Sequence, residues 1–223
     1  MERWKGQVAV VAGATGGVGS ETVKRLLNDG IVVVGIARCK DALAKISNSE
    51  NFHVLQADIT VEQDVLNAFK WITENVGIVH ILVNNAGIGK HGNLIDGDTE
   101  KWKMILDTNL IGLCIATREA VKIMRANKVN GHIVNINSVE GHYIPKLPHM
   151  NVYPASKHGV TALTETFRQE LNSLESKIKI TASVVVFLLL LWQFNIICRV
   201  LARVLLKLIW QKQVDVQKRV LRL

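Results

Sequence analysis

A chain of 223 residues, 48% of them apolar and 21% charged, has the length of one α/β domain and enough apolar surface to bury a core, which excludes a disordered chain. The net charge of +8 gathers at one end: residues 199–223 hold seven Lys/Arg and one Asp, and the rest of the chain carries only +2. With few aromatic residues and no stacking pattern, that distribution argues against a nucleic-acid partner.

The segment Met1–Gln7 has no apolar h-region and runs into a strand, so no cleaved signal peptide is expected. Val8–Ala12 is continuously apolar, as buried parallel strands are. A helix is expected from Gly17 to about Asn28, stopped near Asp29-Gly30. Strands follow at Ile31–Ala37 and Phe52–Ala57, a helix from Val61 to about Val76, and a strand at Ile81–Asn84. A long helix is expected from about Thr99 to Asn127 with Gly112 inside it, then a strand at Gly131–Asn137 and a helix from Tyr153 to about Leu174. Short β-rich runs alternating with helices predict a parallel sheet covered on both faces over residues 1–180. Cys39, Cys114 and Cys198 have neither metal-ligand spacing nor an even count, so they read as reduced thiols in a reducing compartment. His142, His149 and His158 read as loop or helix-surface residues, and no metal site is expected.

Beyond Lys179 the pattern changes. Ile180–Cys198 is a run of 19 uncharged residues, at the lower limit for crossing a bilayer. Arg199, Arg203 and Lys207 then recur opposite Val200, Leu201, Val204, Leu205, Leu208 and Ile209, a basic amphipathic pattern. Three readings stand side by side. Residues 178–186 form a sixth strand with packed helices after it; or residues 180–223 meet a membrane surface; or the tail is an aberrant end.

Chemistry concentrates in three places. Gly13-Ala14-Thr15-Gly16-Gly17-Val18-Gly19 lies between a strand and a helix, where glycines permit a tight turn and close approach to a pyrophosphate, and the helix N-terminus offers free N–H groups. At the end of the second strand, where an acid would accept a ribose 2′-OH, the chain has Ala37-Arg38-Cys39-Lys40. Those cations suit a 2′-phosphate, and NADP(H) is the expected cofactor. Tyr153 and Lys157 share a helix face at i, i+4, and a nearby ammonium is expected to lower the phenol pKa. Ser138 follows the fifth strand, at the sheet end where such folds bind ligands.

The glycine loop, Asn84-Asn85-Ala86-Gly87, Asn109, Ser138 and Tyr153-x-x-x-Lys157, in that order, resemble the short-chain dehydrogenase/reductases over about residues 6–180. The Met1-Glu2-Arg3-Trp4 start and Val34-Gly35-Ile36-Ala37-Arg38 resemble the insect farnesol dehydrogenase-like branch. The resemblance implies a Rossmann-like doubly wound sheet in the order 3-2-1-4-5-6 and a cytoplasmic homodimer or tetramer. It implies an NADP-dependent interconversion of an alcohol and a carbonyl on a small lipophilic substrate, terpenoid or steroid-like. Tyr153 would be the acid/base, Lys157 its activator and a ribose ligand, Ser138 the holder of the substrate oxygen, and Asn109 the anchor of a proton relay. Gly13, Thr15, Gly17, Val18, Gly19, Arg38, Asp58, Asn85, Ala86 and Gly87 would line the cofactor. Read from the residues alone, Asp58 and Asn109 are equally a helix cap and a satisfied core polar group.

Three departures from the family pattern stand out. Ala12 replaces the usual Thr before the glycine loop. The 15-residue interval from Ser138 to Tyr153, with Pro145 and Pro148 inside it, is longer than is common and is expected to bulge over the site. No Pro follows Pro154 and no Gly follows Gly159, so the family's Pro-Gly segment, substrate lid and seventh strand are replaced. The alternative reading is therefore a non-catalytic or impaired, membrane-associated nucleotide-binding protein.

Overall fold

The computed structural model describes residues 2–185. Six parallel strands form one sheet in the order β3-β2-β1-β4-β5-β6: β1 Val8–Ala12, β2 Val32–Ala37, β3 Phe52–Gln56, β4 Val79–Asn84, β5 His132–Ser138 and β6 Lys179–Val185. The helices are α1 Gly17–Asn28, α2 Lys40–Ala44, α3 Glu62–Asn75, α4 Thr99–Leu106, α5 Gly112–Ala126 and α6 Tyr153–Ser173. The expected strand order is the one observed. β6 carries the sheet to Val185. The readings of the later tail fall on residues 186–223, outside the described residues, and so does Cys198. No helix among the described residues is long and apolar enough to cross a membrane.

Alternation along the strands builds two cores. Val8 and Val10 face α3, α5 and α6 with Val65, Phe69, Ile72, Ala116 and Met124, while Ala9 and Val11 face α1 and α2 with Val23, Leu26 and Leu43. The helices match by burying one stripe each, Gly19, Thr22, Val23 and Leu26 in α1 and Val65, Ala68, Phe69 and Ile72 in α3, the spacing of a 3.6-residue period. The sequence places the start of the fourth strand at Ile81; β4 begins earlier, at Val79. The register shifts here, with Val8 opposite Val79 but Ala9 opposite Ile81. The extra residue, His80, sends Val79 and Leu82 to one core and Ile81 and Val83 to the other, a bulge that period-two reading cannot anticipate.

The expected single helix over 99–127 is interrupted by a π turn at Asp107–Ile111. Gly112 starts α5 against Ile59, whose carbonyl would lie 2.7 Å from an added Cβ, so the helix can reach the β3–α3 loop only with glycine there.

A buried polar ladder joins the ends of the central strands to the helices above. Asn84 Nδ2 donates to Thr117 Oγ1 (2.9 Å) and Asn135 Oδ1 (2.8 Å), Asn135 Nδ2 to Thr164 Oγ1 (2.9 Å), and Asn137 Nδ2 to Thr161 Oγ1 (2.8 Å). Strands β4 and β5 thereby hold α5 and α6 in one register. Asn135→Ala strips partners from both Asn84 and Thr164, and is expected to destabilise the fold by ~1–3 kcal/mol. Urea denaturation measures this, and an unchanged midpoint would show that the ladder does not hold the layers together.

Candidate active site

The chain leaving β1 turns at Gly13 with φ +76°. A Cβ there would lie 2.6 Å from the Ala86 backbone, so the loops after β1 and β4 meet only because this residue is glycine. Asn85 Nδ2 closes the contact by donating to the Gly13 carbonyl (2.7 Å). Gly19 packs under the loop, where a Cβ would be 2.4 Å from the same carbonyl oxygen. Gly16 is the N-cap of α1, with no side-chain cap and no acid in the first turn. The amides of Gly17, Val18 and Gly19 therefore have neither an intrahelical acceptor nor a capping side chain, and face the positive end of the helix dipole.

A cavity of about 290 Å³ opens along these loops, lined by Gly13, Thr15, Arg38, Asp58, Asn85, Ala86 and Gly87 together with Ile88 and Thr108. It lies at the carboxyl ends of β1 to β4, the ligand side of an open α/β sheet. Arg38 is exposed on its rim and forms no ion pair or hydrogen bond with the other described residues. Asp58 lines the wall, but its Oδ1 also accepts from Thr60 N (2.9 Å) and Oγ1 (2.8 Å), a local turn before α3. The glycine cradle, the uncapped helix end and the free guanidinium fit an extended phosphorylated dinucleotide. Gly17, Val18 and Gly19 stand behind the loop on α1, not in the cavity wall.

Gly87 joins the cavity to a second cluster. A Cβ on Gly87 would sit 3.6 Å from Lys157 Nζ and 3.5 Å from Asn109 Oδ1. Ser138 is the last residue of β5 and is buried. Its hydroxyl donates to Glu140 Oε2 in a short hydrogen bond, and Glu140 N donates back to Ser138 Oγ (3.3 Å). The Val139–Gly141 turn presses on α6: a Cβ on Gly141 would be 2.7 Å from the Lys157 carbonyl. Helix α6 starts at Tyr153 with Pro154 in its first turn, a favoured place for proline. The i, i+4 spacing sets Lys157 Nζ 5.8 Å from the Tyr153 ring centre.

The electrostatics differ from the sequence expectation. Lys157 is buried, its Nζ donates to the Ile136 carbonyl (3.1 Å), and burial lowers its pKa to about 8 against an opposing pull from Glu140. The Tyr153 phenol is pushed up, not down: burial contributes most, then the Glu140 charge, with a Ser138 hydrogen bond pulling the other way. An ammonium that is itself desolvated and faces a carboxylate does not act as the free positive charge that the spacing implied.

Asn109 sits in the π turn, 2% exposed. Its Oδ1 accepts from Ile88 N (2.8 Å), and its Nδ2 donates to Ile88 O (3.0 Å) and Ser156 Oγ (3.0 Å). The side chain is thus a satisfied core group that clamps the loop after β4. Ser156, fully buried, passes the constraint on by donating to the Tyr153 carbonyl (2.7 Å). The structure therefore brings Ser138, Tyr153 and Lys157 together, with Asn109 beside them through Ser156 and Gly87. Sequence reading missed Ser156 and Glu140. Glu140 stands two residues after Ser138, but nothing in its local pattern distinguishes a buried carboxylate from a solvated loop acid. The long segment before α6 reaches the loop after β4 through a Gly92–Met150 bridge and a His149 Nδ1–Asn93 Oδ1 contact (2.9 Å).

A glycine-lined crevice at the strand ends, beside a Ser-Tyr-Lys cluster, defines a nucleotide-dependent oxidoreductase fold. The family described as short chain dehydrogenase matches residues 7–186, and this chain belongs to it. It is 42% identical to farnesol dehydrogenase of Aedes aegypti over 189 residues, covering 82% of this chain and 77% of that one. Among solved structures, a short chain dehydrogenase/reductase from Burkholderia phymatum in complex with NAD superposes with a TM-score of 0.79 at 29% identity, over 84% of this chain and 68% of that one. A metagenomic short-chain oxidoreductase in complex with NADP gives 0.76 at 27% identity, over 91% of each chain.

Burial of Lys157 has a consequence for stability. Its folded pKa of about 8 lies below the ordinary 10.5, so in that window the unfolded chain binds more protons. Stability from this group therefore rises with pH between about 8 and 10. The rise is expected in wild type and absent in Lys157→Met, measured by urea denaturation across that range; equal slopes in both would contradict the buried-ammonium account.

Proposed function

We propose that the protein interconverts an alcohol and a carbonyl using NADP(H), with Tyr153 moving the proton. The observation that carries this reading is the meeting of the Ser138 hydroxyl, the Tyr153 phenol and Lys157 at the end of the glycine-lined cavity. When bound, a nicotinamide supplies or accepts hydride at the substrate carbon. Tyr153 gives its proton to the carbonyl oxygen in reduction and takes one from the hydroxyl in oxidation. When substrate binds, the Ser138 hydroxyl exchanges its Glu140 acceptor for that oxygen, Lys157 supplies positive charge and reaches the cofactor ribose, and Asn109 keeps the loop after β4 in place.

Arg38 supports the phosphorylated cofactor, since it stands free on the cavity rim where a 2′-phosphate would lie. The structural relatives include both an NAD and an NADP complex, so it is the residue at the end of β2 that favours NADP(H). A lipophilic substrate of the terpenoid class is supported by the Aedes aegypti relative's name. It is also supported by exposed Leu94, Ile95, Tyr143, Ile144 and Leu147 on the two bridged loops beside Tyr153.

Two measurements test this reading. NADPH is expected to bind more tightly than NADH by ~1–3 kcal/mol through a charge-assisted phosphate contact, and Arg38→Asp should reverse the preference. Equal affinity for both cofactors in wild type would remove the NADP assignment. Tyr153→Phe is expected to lower kcat for farnesol or farnesal by at least ~100-fold while NADPH affinity stays. Undiminished turnover in that variant would show that another group moves the proton.

A further inference from the structure

Glu140 is a carboxylate only 9% exposed, an expensive position for a charge without a partner. It lies in the Val139–Gly141 turn, which packs on α6, β5 and β6. Helix α6 brings Tyr153 and Lys157 to it. Strand β5 brings the Ser138 hydroxyl; its ionisable His132 is at the opposite end, in register with Lys179, the one charged residue of β6. The turn itself continues into exposed His142. Helix α6 also carries His158 and Arg168; the charge that couples to the carboxylate is that of Lys157, across the low-dielectric interior and not as a contact ion pair.

We propose that Glu140 is a positioning residue of this centre: its carboxylate, tied to the Ser138 hydroxyl before substrate binds, counters the Lys157 ammonium and holds Tyr153 in its protonated form, the form that carbonyl reduction uses and alcohol oxidation must first discharge. The proposal rests on the reading of Tyr153 as the proton-transfer group. In carbonyl reduction a bound NADPH would supply the hydride for the new C–H bond, and the carbonyl π pair would move to oxygen. That oxygen would take the Tyr153 proton, the cofactor would be left oxidised as NADP+, and the phenolate would recover a proton from water. The charge of Glu140 disfavours both the phenolate and the loss of the Lys157 proton, in line with its upward pull on both groups.

The chain has two tyrosines, so Tyr153 can be followed directly. In the full-length protein labelled with 13Cζ-tyrosine, NMR gives one signal from Tyr153 and one from Tyr143, assigned with Tyr143→Phe. Glu140→Gln keeps the size and an acceptor for Ser138 but removes the charge. Its Tyr153 midpoint is expected to fall by about half a pH unit or more, about threefold more phenolate at a given pH below the midpoint. Glu140→Asp should restore the wild-type titration, which loss of shape alone would not explain. If Glu140→Gln does not fold, Glu140→Ala should give the same downward shift. In farnesol oxidation with NADP+, the acid limb of kcat/KM should move down with the NMR midpoint. An unchanged or raised Tyr153 midpoint overturns the proposal. Absence of turnover in wild type overturns the hydride-transfer reading instead, and the NMR result still decides whether Glu140 controls Tyr153.

Discussion

The docking of α6 on β5 and β6 is the constraint on which the site depends. Tyr153 and Lys157 ride on that helix, Ser138 ends β5, and Gly87 belongs to the loop after β4. Their spacing is therefore a property of layer packing and not of any local motif. Buried amide–hydroxyl bonds from Asn135 to Thr164 and Asn137 to Thr161 give the docking a direction. An apolar interface would tolerate sliding by a turn; a ladder of paired donors and acceptors does not, because each slip leaves polar groups unsatisfied.

The same logic explains the π turn. Asn109 lies where the long helix widens, and its side chain spends every hydrogen bond on Ile88 and Ser156. A clamp of that kind holds three segments at once: the loop after β4, the long helix formed by α4, the π turn and α5, and the first turn of α6. Backbone irregularity and buried amide are two aspects of one device, which places the tyrosine carbonyl and, through it, the phenol. Asn109 thus acts on Tyr153 through Ser156.

The charge arrangement sets the character of the centre. Lys157 is buried enough to weaken its own ammonium, and Glu140 restores some of that charge while opposing the phenolate. Tyr153 and Lys157 lie in a low-dielectric corner where the Glu140 charge acts on both, raising the pKa of each. Such a centre differs from a tyrosine served by a solvated lysine, and the difference arises first from burial and then from a single acid in a short turn.

Much of this was legible in the chain itself. Continuous apolar runs such as Val8–Ala12 identify buried parallel strands, and the glycine loop marks a nucleotide site because only glycine can occupy Gly13 and Gly19 at their observed distances from neighbouring backbone. The i, i+4 pair Tyr153 and Lys157 was visible because helical periodicity alone puts both on one face. Tertiary structure decided the rest: the bulge at His80, the π turn at Asn109, the clamp through Ser156 and the direction of the Tyr153 pKa. Each of these depends on groups far apart in sequence meeting in a dry interior. Local pattern determines which face a side chain occupies, whereas burial and the neighbouring charges that determine its chemistry exist only once the layers have closed.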